Sequence, residues 1–184
     1  MNVWIISIIC LAVALYSVWM LLRFGIVRAQ RREPDFIVGG KENPYLLRWY
    51  LLPRNRFFNI YYHVFLRSDD DRALHDHMYW NLSIVLSGGY FEHTIDGKRR
   101  WVGAGSLRLR RPTTAHRVEL ASKAVYATDH GGCFAPMYET IKATTLFVTG
   151  PRVREWGFLC PQGWRHWKEF VSSDNPGERG KGCD

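Results

Sequence analysis

The chain has 184 residues, of which 25 are lysine or arginine and 17 are aspartate or glutamate, giving a formal net charge of +8. A hydrophobic fraction of 47% and a charged fraction of 23% exclude a disordered or fibrous protein. Four cysteines are too few for a small disulfide scaffold. We therefore expect one globular domain, rich in aromatic side chains, beyond any targeting segment.

The first 22 residues are almost wholly apolar. As a helix they would reach roughly 33 Å, enough to cross a bilayer core of about 30 Å. No lysine or arginine precedes this run, as one would in a cleavable signal peptide. The arginines that follow it are Arg23, Arg28, Arg31 and Arg32. The pattern predicts a transmembrane anchor at residues 1–22, a basic juxtamembrane linker at 23–34 and, by the positive-inside rule, a cytoplasmic C-terminal domain.

The net charge bears on nucleic-acid binding, and the positions of the cysteines bear on the cellular compartment. The four arginines account for half of the net charge, and the remaining +4 is too small to predict nucleic-acid binding. Cys10 lies in the apolar run, and Cys133, Cys160 and Cys183 are scattered. The absence of a pairing pattern among them fits the cytoplasm.

From residue 35 onward, short strand-like runs alternate with turn signals. Residues 59–67 and 75–87 are predicted as strands, and residues 90–95 and 98–102 flank an Asp-Gly pair that predicts a hairpin. Further strands are expected at 106–111, 116–120 and 144–149, with a loop at 121–143. Residues 151–170 are expected to wrap the domain, and residues 171–184 to form a flexible tail. The predicted class is all-β, a sandwich or barrel over residues 35–170.

Three histidines carry the clearest chemical signal. His75 and His77 are two residues apart on a predicted strand, so both side chains would point to one face. Neutral imidazoles in that arrangement can bind one first-row metal ion, and His116 is the natural third ligand. Histidines hydrogen-bonded in a core without metal remain the alternative.

These residues resemble the cupin superfamily. Its first motif reads G-x5-H-x-H-x3-4-E-x6-G, and here His75 and His77 are followed at the right spacing by Asn81 in place of the glutamate and by Gly88. Asp69 stands where the motif opens with glycine. The second motif, G-x5-P-x-G-x2-H-x3-N, is matched loosely around His116. The two motifs span residues 69–120, about a third of the predicted domain.

The resemblance implies a double-stranded β-helix, or jelly-roll, barrel. The transmembrane helix predicted from the apolar run would precede it. A three-histidine site without the glutamate is similar to that of the thiol dioxygenases and related oxygenases, which use iron(II). The resemblance therefore implies one divalent ion, with Fe(II) favoured over Mn, Ni or Zn, and a dioxygenase-like enzyme acting on a small molecule. Asn81 would be a weak oxygen ligand, a hydrogen-bond partner of a ligand, or a strand residue facing the barrel interior.

Other residues are candidates for contacts around the ion or with the substrate. They are Asn81, His63, Tyr79, His93, Arg108 and Arg110. Arg108 and Arg110 alternate with leucines, and we favour the interpretation in which the arginines face solvent over one in which they bind an anionic substrate. Tyr79 shares the parity of the two histidines and would point inward. His130 and Cys133 are a weak candidate for zinc, because no second ligand pair at standard spacing accompanies them.

Two functions therefore stay open. The first is a membrane-anchored metalloenzyme. The second is a non-catalytic cupin module that binds a small ligand, or a protein partner at the membrane. An enzyme would keep an open cavity beside the histidines, whereas a binding module could fill it with aromatic side chains. Cupin barrels often pair through their sheets, so the resemblance also allows a homodimer, although the sequence does not fix the oligomeric state.

Overall fold

The structure is a computed structural model that describes residues 2–69, 72–128, 134–172 and 180–184. The chain divides into two compact units, Met1–Pro34 and Asp35–Asp184. The first unit contains one long helix, α1, Val3–Gln30, which begins at the N-cap residue Asn2. The helix therefore continues through most of the segment expected to be a linker, because no proline interrupts it before Pro34.

The second unit is built from strands. In chain order they are β1 Phe36–Val38, β2 Leu46–Tyr50, β3 Asn59–Phe65, β4 Leu74–His75, β5 Asn81–Ser87, β6 Gly89–Thr94, β7 Arg99–Gly103, β8 Leu107–Arg110, β9 His116–Leu120, β10 Ser122–Thr128, β11 Phe134–Thr140, β12 Ala143–Thr149, β13 Gly157–Cys160 and β14 Gly163–His166. A short helix, α2, spans Trp167–Phe170.

The strands form two six-stranded antiparallel sheets, ordered β1-β2-β3-β12-β5-β8 and β14-β13-β4-β9-β6-β7, and a separate hairpin, β10-β11. Side chains from both large sheets meet in one apolar cluster, which consists of Val85, Tyr90, Val102, Val118, Leu120 and Ala143. The chain passes repeatedly from one sheet to the other, as in a jelly roll. The predicted all-β jelly-roll class is confirmed.

Two turns have a backbone conformation that requires glycine. Gly97 has φ +73° in the turn between β6 and β7, where the predicted hairpin is confirmed. Gly88, the glycine that closes the first motif, has φ +66°, and a Cβ there would lie 2.2 Å from the main-chain oxygen of Lys142. Both positions need glycine because its lack of a Cβ permits positive φ.

Two element predictions are wrong. The predicted strand 75–87 is divided, because β4 and β5 belong to different sheets and residues 76–80 connect them. Residues 75–87 contain no glycine or proline, so the sequence gives no turn signal where the chain changes sheet. The predicted loop 121–143 contains the hairpin β10-β11, in which Lys123 pairs with Glu139. Several side chains of this hairpin are exposed, so its sequence lacks the alternation of apolar and polar residues that predicts a strand.

The C-terminus also differs from expectation. Cys160 and Cys183 form a disulfide, and the main-chain N–H of Gly182 donates to the carbonyl oxygen of Phe170 at 3.0 Å. Residues 180–184 are therefore held against the domain rather than forming part of a free tail. The inference that the cysteines are unpaired is wrong for these two, and it no longer supports a cytoplasmic location.

Candidate metal centre

Two neighbouring strands of one sheet, and the segment that follows one of them, bring the three predicted histidines together. His75 on β4 is the Cα partner of His116 on β9, and His77 follows β4 in the segment that connects the sheets. One ring nitrogen from each of the three lies within 4.8 Å of the others. His75 and His77 thus meet as expected, although they do not share a strand.

Two carboxylates lie beside the Nδ1 atoms of two of these histidines. Asp69 Oδ2 lies 2.7 Å from His75 Nδ1, and Glu92 Oε1 lies 3.1 Å from His116 Nδ1. Both are close contacts, and neither is aligned as a hydrogen bond. A carboxylate beside Nδ1 fixes the tautomer and orientation of a metal-binding histidine and leaves Nε2 for the ion. The arrangement therefore suits metal binding through Nε2 of His75 and His116.

The distance between His77 Nε2 and His116 Nε2 is 2.9 Å. Two ring nitrogens that each lie about 2.1 Å from one ion, at right angles to each other, would be about 3.0 Å apart. The same distance fits a hydrogen bond between the two imidazoles, which is the metal-free alternative left open by the sequence. The donor set suits a divalent ion, and the spacing of His77 and His116 fits two ligands of one ion.

The protonation of the cluster is set by its burial. Burial lowers the pKa of His77, and the neighbouring His116 and His75 lower it further. Burial and then Arg110 lower the pKa of His116 in the same way. Burial also acts to lower the pKa of His75, but the neighbouring Asp69 carboxylate outweighs it, so this pKa is raised. His77 and His116 are therefore neutral at pH 7, the form that binds metal.

Glu92 is held by an arginine that we expected at the surface. Arg110 is 5% exposed and donates from Nε to Glu92 Oε1 at 2.8 Å, while its neighbour Leu109 is 72% exposed. The interpretation in which Arg108 and Arg110 face solvent is therefore wrong. Arg108 is half-buried and its Nε lies 3.6 Å from Glu92 Oε2. The face of β8 that carries the arginines points inward because the buried carboxylate requires a cation.

Asn81, in the position of the motif's glutamate, is 1% exposed at the start of β5. It lies opposite Arg110 on β8 and Thr149 on β12. In the part of the chain that the structure describes, neither polar atom of its side chain has a hydrogen-bond partner, and the same holds for the hydroxyls of Thr145 and Thr149. Buried polar atoms without a partner indicate bound water or another ligand, because leaving them unsatisfied costs about 1–3 kcal/mol each.

Of the remaining candidate residues, His63 and Tyr79 lie near the histidine cluster, and His93 does not. His63 on β3 is buried and stacks on Phe147, whose ring also contacts His77. Burial and then Arg48 lower the pKa of His63. Tyr79 stacks on His77, with ring centroids 6.2 Å apart. His93 instead lies 2.5 Å from Glu119 in a partly exposed pair.

The parity of β6 shows where His93 points. The buried side chains of this strand, Tyr90 and Glu92, alternate with it, so His93 points away from the site. Asp76, which lies between the first two histidines of the cluster in the sequence, pairs with Arg154 and also accepts from the N–H of Gly157 at 2.8 Å. His130 and Cys133 lie outside the described residues.

A cavity of about 330 Å³ lies beside the histidines. Its walls are mostly aromatic and aliphatic, and they include His75, His77, Tyr79 and Asp69. Sequence analysis did not assign a role to several residues at the centre or in these walls: Arg48, Asp69, Glu92, Trp156 and Trp167. Asp69 stood at a motif position, but nothing in the sequence distinguished Glu92 from other acidic residues.

No protein-family model and no curated protein matches the chain. Solved structures similar to it include a protein with a double-stranded β-helix domain from Klebsiella pneumoniae, at 15% identity and TM-score 0.43, covering 66% of this chain and 90% of that one. A cupin superfamily protein from Desulfitobacterium hafniense has 11% identity and TM-score 0.41, covering 62% and 84%. Streptomyces Pac13, solved with uridine, has 10% identity and TM-score 0.41, covering 66% and 77%. The resemblance is one of fold.

Proposed function

We propose that the protein is a mononuclear metal-dependent enzyme, dioxygenase-like in its chemistry, that acts on a small molecule bound in the cavity. His75, His77 and His116 would hold one divalent ion, with Fe(II) preferred and Mn, Ni or Zn as alternatives. The observation that supports this most is the meeting of three imidazoles, one buried and two half-buried, two of which have a carboxylate beside Nδ1. A divalent ion held by neutral ligands keeps its full charge and acts as a Lewis acid with open coordination positions.

The chain's own residues would prepare the site. Asp69 and Glu92 keep Nδ1 of two histidines turned away from the ion, and Arg110 holds Glu92 in place. Phe147 packs against the His77 ring and shields it from solvent on that side. Substrate would enter the cavity, whose lining includes His75 and His77.

The second candidate is a non-catalytic module that binds a small ligand or a partner. It would be favoured if aromatic side chains filled the space beside the histidines. The cavity of about 330 Å³ remains open although aromatic residues line it, and this observation supports the enzyme.

Metal analysis of the full chain in mild detergent tests the proposal. We expect about one equivalent of iron, manganese, nickel or zinc, lost in His77→Ala and kept in His93→Ala, whose imidazole points away from the site. Oxygen uptake would then be screened with the iron-loaded protein. If the wild type binds no metal and takes none up on reconstitution, the metalloenzyme proposal fails and the binding module takes its place.

We further propose that α1 anchors the protein in a membrane. The helix is long and apolar enough to cross a bilayer, features that a signal sequence near the N-terminus also has. The arginines after residue 22 favour a domain on the cytoplasmic side, whereas the Cys160–Cys183 disulfide is typical of an oxidising compartment. Protease protection in spheroplasts, read with a C-terminal tag, decides the orientation, and N-terminal sequencing of the mature protein decides whether the helix is retained.

A further inference from the structure

The cavity beside the histidines combines apolar walls with few charges. The aromatic part of the lining consists mainly of Phe36, Trp156, Phe158, Trp167 and Phe170. The rings of Trp156 and Trp167 stack almost in parallel, 5.8 Å apart. Walls of this kind favour an apolar, flat ligand body, and a small number of polar groups then fix its orientation.

Among the described residues that line the cavity, Arg48, Arg67 and Asp69 carry the charges other than those of histidine. Asp69 faces His75. Arg67 contacts main-chain oxygens, from Nε to the carbonyl of Asn43 at 3.3 Å and from Nη1 to that of Ser68 at 3.4 Å. These two side chains are therefore engaged in holding the protein together.

Arg48 is different. Its Nε donates to His63 Nε2 at 2.9 Å, and the guanidinium lies 5.0 Å above the ring of Tyr61. A ring nitrogen that accepts a hydrogen bond carries no proton, so His63 does not offset the positive charge. No ion pair of Arg48 occurs among the described residues, and its hydrogen bond uses Nε alone. The cavity wall thus carries a half-buried cation without an anionic partner.

A cation in an apolar wall is unfavourable unless an anion pairs with it. The planar guanidinium binds carboxylates with two parallel hydrogen bonds, and the Nη groups of Arg48 provide donors for such a contact. The stacking on Tyr61 and the bond to His63 fix its orientation in advance, which reduces the entropy lost on binding.

We propose that the substrate or ligand of this cavity is a small carboxylate with a flat apolar body, its carboxylate on Arg48 and its body against the aromatic walls. The volume of about 330 Å³ is at the lower end of the range of about 300–1,000 Å³ for ligand sites, so the body is about one ring with a short chain. That this ligand is a substrate rests on the proposed function of the same site. The binding of a carboxylate by Arg48 can be tested without it.

The test compares 3-phenylpropionate with the neutral 3-phenylpropionamide by isothermal titration calorimetry. The protein is the full chain in mild detergent, stripped of metal with a chelator. We expect the carboxylate to bind about tenfold more tightly than the amide. In Arg48→Met the two probes should bind alike, and in Arg48→Lys part of the preference should return. Arg54→Met, an exposed arginine outside the cavity lining, is the matched control and should keep the wild-type ratio.

The outcomes separate this inference from the metal centre. A preference for the carboxylate in metal-free protein supports the inference even if the protein never binds metal. A preference that appears only after metal loading and survives Arg48→Met places the carboxylate on the ion and overturns the inference while the metal centre stands. Equal binding of both probes to the wild type, or binding of neither, also overturns it, whether or not Arg48→Met folds.

Discussion

The buried pair Arg110–Glu92 gives the sharpest prediction about the architecture of the centre. The two side chains are 5% and 8% exposed, and Arg110 Nε donates to Glu92 Oε1 at 2.8 Å. Arg110→Met removes the cation and leaves a carboxylate in the interior, next to His116. Breaking such a pair costs about 3–5 kcal/mol, because the buried carboxylate then keeps only the more distant and more exposed Arg108, 3.6 Å from its Oε2. We expect the free energy of unfolding to fall by that amount.

A matched control comes from the surface of the same domain. Arg99 and Glu119 also form an ion pair, but their side chains are 46% and 31% exposed. Arg99→Met should therefore cost less than about 1 kcal/mol. The double variant Arg110→Met/Glu92→Leu should recover part of the loss, since it removes the uncompensated charge as well.

Equilibrium urea unfolding of the full chain in mild detergent, followed by tryptophan fluorescence, measures these differences. If Arg110→Met and Arg99→Met destabilise the protein equally, the burial argument is refuted. If the double variant is less stable than Arg110→Met alone, Glu92 is stabilised by something other than the arginine.

Three further predictions concern the rest of the domain. Cys183→Ser should lower the free energy of unfolding by about 3 kcal/mol, and reduction of the wild type should reproduce this in the same urea assay. In thermal unfolding, Gly88→Ala should be more destabilising than Gly97→Ala, which has open space around it and costs about 1–2 kcal/mol for its positive φ alone. The hydrogen bond from Arg99 lowers the pKa of Glu119 from 4.5 to about 2, so its stabilisation is complete above pH 4.5 and is lost as the pH falls towards 2. Because the pair is largely exposed this amounts to less than about 1 kcal/mol, and Glu119→Gln should remove it from a pH titration of stability.

The histidines were predicted correctly to meet, although the secondary structure predicted around them was partly wrong. His75 and His77 were expected on one strand, yet the chain leaves β4 directly after His75. They meet His116 all the same, because β4 pairs with β9 at that residue. The predicted cluster is present, although the strand-parity argument that first proposed it wrongly placed His77 on the strand.

Local sequence determined the all-β class, the hairpin at Gly97 and the three histidines, since turn chemistry and ligand spacing act over a few residues. It left undecided which face of β8 is buried, because arginines and leucines alternate there and either set could face inward. Glu92, on another strand, settles that choice by requiring Arg110 as its partner.

Contacts between distant segments depend on the tertiary structure alone. The Cys160–Cys183 disulfide, the carboxylate of Asp69 behind His75 and the open cavity with Arg48 in its wall all join parts of the chain that no local pattern connects. Whether a polar side chain is an ordinary surface residue or part of a site is decided by what the rest of the fold places beside it, because burial and pairing, rather than residue type, set its energy.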